Sequence, residues 1–293
     1  MLYKPVAMTY LRTGLRRSAL LVLALALGGC SAFLNSENKE GDFSATGALP
    51  PAGTLYALGL SRVEKQDYGR AVKDFEAVEE NYPYSSWTTH AQLMEGYAQY
   101  KQQNYDDAIS ALNRYIALHP ENQEAAYAYY LKALCYYEQI DGAQRQQTTT
   151  FESIQTLNDV ITRFPDTAYA HDARIKLRLA YNRLAAHDMV VGRFYEKQHL
   201  YAGAIGRFQD VITNYATTTY TAEALERLVE CYLNLGLTAE AQRTASVLGY
   251  NYPGSPWYAT AYAKLKAHHL LPAGDGNGQP SPAAPRHHGF WLF

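Results

Sequence analysis

Only three cysteines occur in 293 residues, too few for a disulfide-stapled scaffold. Histidine is not arranged for metal: His268-His269 and His287-His288 are adjacent pairs, and there is no HExxH, no CxxC pair and no His/carboxylate cluster. Asp275-Gly276-Asn277-Gly278 lacks the bidentate glutamate of a calcium loop and reads as a turn. A glycine-rich phosphate loop and a nucleophile elbow are both missing, so nothing points to an enzyme. Positive charge is not in excess either. The formal net charge is −2, and four of the 26 basic residues (Lys4, Arg12, Arg16 and Arg17) lie in the first 29 positions. The remainder is acidic and has no basic, aromatic-interleaved patch of the kind nucleic acid requires. Ile, Val and Thr form no alternating runs, which removes strands and leaves an all-α chain.

What is abundant is one repeated helix. Ala71, Phe75, Val78 and Tyr82-Pro83 stand at offsets 0, 4, 7 and 11–12, one face of a helix ended by proline. The same frame recurs from Ala108 to His119-Pro120, from Ser153 to Phe164-Pro165, from Ala204 to Tyr215-Ala216, and from Ala241 to Tyr252-Pro253. Twelve residues before the small residue stand Gly59, Gly96, Gly192 and Val229, and Tyr68, Tyr105 and Tyr201 stand three before it. This order looks like the tetratricopeptide repeat, a helix–turn–helix unit of about 34 residues. Spacing predicts insertions on both sides of the third frame. Its first helix fits Ala133-Leu134-Cys135-Tyr136, followed by a polar loop from Asp141 to Thr150. A long helical segment from Ala168 to about Ala186 is expected before Val191-Gly192. Thr54 is the expected cap of the first helix, with Leu55, Leu58 and Gly59 inward. Ser255-Pro256 opens a terminal capping helix that ends near Leu270. Cys135 and Cys231 take the same register two repeats apart, roughly 20 Å at helix-packing distances, so buried free thiols are expected.

Residues 53–271 are therefore predicted to form a solenoid of five tetratricopeptide-like helix pairs with a C-terminal capping helix. Pro272 to Phe293 is Pro/Gly-rich, has no period and is predicted to be a disordered tail.

Residues 1–29 form a secretory signal peptide, a basic start followed by Ser18 to Leu27, too short to span a bilayer. Leu27-Gly28-Gly29-Cys30 resembles the bacterial lipobox. That resemblance implies cleavage between Gly29 and Cys30, with a diacylglycerol and an N-acyl chain on Cys30 as the only anchor. The thiol serves as the nucleophile for the lipid, and the small residues give the peptidase access. The plainer alternative is an ordinary signal peptide with a stray cysteine. Ser31, rather than Asp, resembles sorting to the outer membrane. Residues 30–52 are polar and aperiodic, a flexible tether.

The chain resembles the lipoprotein family of the outer-membrane β-barrel assembly complex. The likeness is carried by Cys30, by Phe75 to Ser85, by Arg114 to Pro120, by Ala126 to Leu134 and by the polar loop before Phe151. It departs at Ala216, at Ala133 and in its long tail. The resemblance implies a non-catalytic scaffold on the periplasmic face of the outer membrane. Its C-terminal repeats would dock on the POTRA region of a BamA-like insertase, beside other assembly lipoproteins. Its N-terminal repeats would receive the C-terminal strand signal of unfolded β-barrel proteins. Tyr82, Tyr84 and Trp87 are the candidate groove residues, although Tyr82 also suits the closing of its own repeat. Arg207 is the candidate insertase-facing residue. A solvated Arg207–Asp210 pair is the competing reading, and Arg207→Glu is expected to spare the fold. A second scaffold class, TolA-linked or peptidoglycan-associated, shares all features except the partner.

Overall fold

The computed structural model describes residues 49–271, and everything structural below concerns those residues. They form eleven α-helices and no strand. Helix pairs α1 (Ala52–Glu64) with α2 (Tyr68–Asn81) and α3 (Ser86–Lys101) with α4 (Tyr105–Leu118) are followed by α5 (Ala125–Glu138) with α6 (Thr148–Arg163). Next come α7 (Ala168–Lys197) with α8 (Tyr201–Asn214) and α9 (Thr221–Asn234) with α10 (Thr238–Asn251). Helix α11 (Pro256–Ala267) closes the stack. In each pair the first helix is termed A and the second B. The expected signal peptide, the expected lipid acceptor Cys30, most of the expected tether and the expected tail lie outside the described residues.

Each B helix carries the thirteen-residue frame, and its first three stripe positions are buried in all five copies. The residue at offset 4 is a knob fitted into a small site on the A helix. A Cβ on Gly59 would stand 2.5 Å from the Phe75 ring, one on Gly192 2.5 Å from Phe208, and one on Gly96 2.8 Å from Leu112. In repeat three the pair becomes Ala133 and Leu157, both fully buried in one cluster. In repeat five the sizes are exchanged, with Val229 on the A helix and Ala245 on the B helix. Total volume at the crossing is thereby conserved, as a close-packed interior requires.

Every B helix ends in the same way. Tyr82, His119, Phe164, Tyr215 and Tyr252 return their N–H to the carbonyl of the offset-7 residue, with φ near −130°. A residue before proline is driven out of the helical region. Tyr215 leaves it too, although Ala216 follows, so the aromatic closure suffices without the ring constraint.

Two expectations need correcting. Thr54 does not cap α1: the helix begins at Ala52, and Thr54 lies exposed in its first turn. The long segment before Gly192 is not a separate element. It runs unbroken into the A helix of repeat four, giving a 30-residue α7 of about 45 Å. Its extra turns brace both neighbours. His187 Nδ1 donates to the Ala143 carbonyl at 2.6 Å and pins the inserted loop. Asn182 Oδ1 accepts from Thr219 N and Oγ1 at the α8–α9 connection. The α5–α6 loop also ties itself together, since Gln147 Nε2 donates to the Gly142 and Arg145 carbonyls. Ser85 and Ser255 cap α3 and α11 as the sequence requires, each accepting from the backbone N–H two residues on.

Candidate binding face

Besides packing on their B partners, the A helices touch one another: α1 meets α3, α3 meets α5, α5 meets α7 and α9 meets α11, whereas the B helices make no comparable contacts. The A helices therefore line one side of the stack, termed its inner face.

The chemistry of that seam changes along its length. Between α1 and α3 it is aromatic: Tyr56 lies 5.2 Å from the Trp87 ring and 6.3 Å from His90. Gly53 lets the indole approach, because a Cβ there would stand 3.1 Å from its nitrogen. Tyr97, Tyr100, Tyr127 and Leu131 continue the seam between α3 and α5. Tyr169 on α7 then packs on Tyr127 at 5.5 Å and stacks on Tyr130 at 5.2 Å. The Tyr130 hydroxyl donates to Asp172 at 2.5 Å. Burial first, then this bond, pushes the phenol well above its ordinary range.

Beyond α7 the seam is ionic. Arg193 grips Glu223 with both ends of its guanidinium, at 2.8 and 2.6 Å. Arg227 reaches Glu223 at 2.8 Å and returns to Glu196 on α7 at 2.5 Å. Lys264 on α11 bonds Glu226 at 2.5 Å and also Glu230. Burial raises the Glu223 carboxyl, but the two arginines outweigh it and hold the pKa below the ordinary value. Glu196 goes the other way, since burial exceeds the help of Arg227. Cys231 Sγ lies 3.8 Å from Glu196, and burial pushes its thiol up to about 12, as it does Cys135. Both thiols are free and buried, as the spacing predicts. At the changeover, Tyr137, Ile140, Leu179, Arg183 and Tyr220 line an open cleft of about 430 Å³.

Of the predicted groove residues, Tyr82 packs half-buried in the cluster of repeat one. Its carbonyl takes the Thr88 hydroxyl at 2.5 Å. Tyr84 is fully exposed and Trp87 is 43% exposed. The structure thus unites Trp87 with Tyr56 and His90, neither of which the sequence singles out, and leaves Tyr82 to close its repeat. Arg207 is not paired with Asp210. It bonds Asp188 on α7 at 3.1 Å, and Asp188 is buried while Arg207 keeps an exposed edge. Removing that cation would strand a buried carboxylate beside Asp210, so the expectation that Arg207→Glu spares the fold is corrected. Among the described residues no His/Cys/Asp/Glu group is placed to hold a metal ion, and no helix is long and apolar enough to cross a membrane.

The helix pairs and knob-and-socket crossings define the class: a tetratricopeptide-type solenoid. The outer membrane lipoprotein family model YfiO matches residues 50–248. The outer membrane protein assembly factor BamD of Caulobacter vibrioides is 45% identical over 223 residues, 76% of this chain and 73% of that protein. BamD of Rickettsia prowazekii is 44% identical over 249 residues, 85% of this chain and 96% of the relative. BamD of Neisseria meningitidis serogroup A is 31% identical over 250 residues, covering 82% and 92%. This chain belongs to the BamD family of outer membrane lipoproteins. Among solved structures, the TPR2AB domain of yeast Sti1 aligns at 14% identity over 74% of this chain and 85% of that one, with a TM-score of 0.39. MamA aligns at 17% identity over 75% and 96%, with a TM-score of 0.35.

Proposed function

We propose that this protein is a lipid-anchored scaffold for outer membrane protein assembly, held on the periplasmic face by a lipid on Cys30. The observation that carries the reading is its 44–45% identity to assembly factors named BamD over most of its length. The two kinds of seam on the inner face suit a division of labour. The front repeats present Tyr56, Trp87 and Tyr84, and rigid aromatics of this kind stack on apolar side chains of an extended peptide. An unfolded β-barrel protein supplies such a peptide in its C-terminal strand. The back repeats, fixed by directional ion pairs, suit a stable folded partner, the POTRA region of a BamA-like insertase. The open edge of the Arg207 guanidinium, steadied by Asp188, is free to take a carboxylate of that partner. Other assembly lipoproteins complete the set of partners, and the scaffold acts without catalysis.

The test is affinity purification from solubilised envelopes. The expected result is a large β-barrel protein with periplasmic POTRA domains as the main companion, and Cys30→Ser releasing the protein from the membrane. A TolA-type or peptidoglycan-bound companion in its place would overturn the assembly reading. A mature N-terminus that starts elsewhere and carries no lipid would overturn the anchor alone.

A further inference from the structure

The turns from A to B helices in repeats one, two, four and five share one backbone and part ways in the chemistry of the residue that opens the B helix. Each places a residue with positive φ after the A helix: Gln66, Gln103, His199 and Gly236, with φ between 59° and 74°. The next residue sends its N–H back to a carbonyl five residues earlier: Asp67 to Arg62, Asn104 to Gln99, Leu200 to Tyr195 and Leu237 to Tyr232. That residue is also the N-cap of the following helix. In repeats one and two it is Asp or Asn, the residue types favoured there, and Asp67 accepts from the Arg70 N–H whereas Asn104 turns its amide to Gln99. In repeats four and five it is leucine, which makes no side-chain cap and stands 56% and 42% exposed, with Leu235 beside Leu237 also exposed at 45%.

Helix α11 ends in the same turn. His269 has φ 57°, and Leu270 N–H returns to the Leu265 carbonyl. Gln242 Nε2 from α10 holds the Leu270 carbonyl at 2.6 Å. A helices in consecutive pairs run parallel, so Leu200, Leu237 and Leu270 lie along one edge, about 10 Å apart at helix-packing distances. The chain leaves the described body at Leu271, on that same edge. Roughly 18 residues later comes Phe290-Trp291-Leu292-Phe293, the only apolar run after Leu271. The intervening chain reaches up to about 60 Å, whereas Leu200 is about 20 Å from its start.

We propose that Phe290-Trp291-Leu292-Phe293 docks on this leucine edge of repeats four and five in the same molecule. Apolar surface occupies positions where a cap would serve the helices better. A matching apolar run begins its path at the end of the row. Tethering makes it the favoured occupant, because a linked segment competes at millimolar effective concentration. Any other partner that uses these leucines must displace it.

The test uses the full chain with Cys30→Ser, in detergent-free buffer, with Trp87→Phe and Trp257→Phe leaving Trp291 as the only tryptophan. Acrylamide quenching of Trp291 is expected to be at least about 3-fold weaker than in the isolated peptide of residues 284–293, with blue-shifted emission. Leu200→Asp with Leu237→Asp restores the cap residues seen in the front repeats, so the helices should persist by circular dichroism. In that variant, quenching should rise to the peptide value. Peptide-like quenching in the parent, or protection that survives both leucine changes, would overturn the proposal. So would protection that grows with protein concentration, which would mean a second copy, or protection that needs added vesicles, which would mean a lipid surface.

Discussion

The front and back of the inner face solve one problem in two ways. Aromatic rings join α1 to α3 and α5 to α7, with His90 of α3 also meeting Glu124 at the start of α5 at 3.0 Å, and arginine and lysine pairs with glutamate join α7, α9 and α11. Ring contacts are weakly directional, indifferent to salt and tolerant of a change of partner. Ion pairs of this geometry fix register and leave unpaired charge when disturbed. Under the proposed function, the front suits a face that exchanges ligands and the back suits one that holds a single geometry. Both rest on one common core, the fitted knobs of the B helices.

The largest expected effect strikes that common core. Gly192→Val drives a methyl into Phe208 and should destabilise the protein by about 3 kcal/mol, roughly 10 °C in Tm. Adding Phe208→Ala reproduces the Val229–Ala245 crossing of repeat five. The double variant should therefore cost about 2 kcal/mol less than the sum of the singles, a coupling that thermal denaturation of all four proteins checks.

The next test separates the seams. Glu223→Ala strips Arg193 and Arg227 of their shared partner and should cost about 2 kcal/mol, and the loss should shrink in molar salt. Tyr169→Ala removes two ring contacts and should cost about 1.5 kcal/mol by the same denaturation assay, with no salt dependence. Equal salt sensitivity of the two variants would erase the distinction.

The smallest effect concerns pH. Burial raises the Glu95 carboxyl to about 7 and Asp74 to about 6, in spite of Arg114 and Arg62. Folded pKa values above the unfolded ones mean that the folded state takes up protons. This contribution is fully present below about pH 4 and is lost as pH rises through 6 to 7. Tm should therefore be a few degrees higher near pH 5.5 than near pH 8, and Glu95→Gln should flatten the difference.

The sequence showed the B helices almost completely, because a stripe at 0, 4, 7 and 11 with an aromatic stop is local information. The sockets were legible where glycine marks them, and the Val229–Ala245 exchange became clear only when both sides of the crossing were seen. The unity of α7 was hidden because a helix interior has no punctuation of its own, and the extra turns looked like an insertion. Among site residues, the Glu223–Arg227 pair could be found at four-residue spacing. Arg193 and Glu196 join it from 30 and 31 positions away, and Lys264 reaches Glu226 and Glu230 from 38 and 34 away, distances set by repeat stacking that no local pattern encodes. The same holds for Arg207, whose partner Asp188 lies on the preceding helix, while Asp210, close in sequence, was the decoy.

The most direct test of the division between front and back uses photo-crosslinkers at two open positions in living cells. Tyr84 is fully exposed, and a Cβ on Gly206, beside Arg207, meets nothing within 4 Å. The account predicts that Tyr84 captures the C-terminal strand of unfolded β-barrel proteins and that Gly206 captures the insertase. Capture of the same partner at both positions, or of the insertase at Tyr84 and substrate at Gly206, would contradict it.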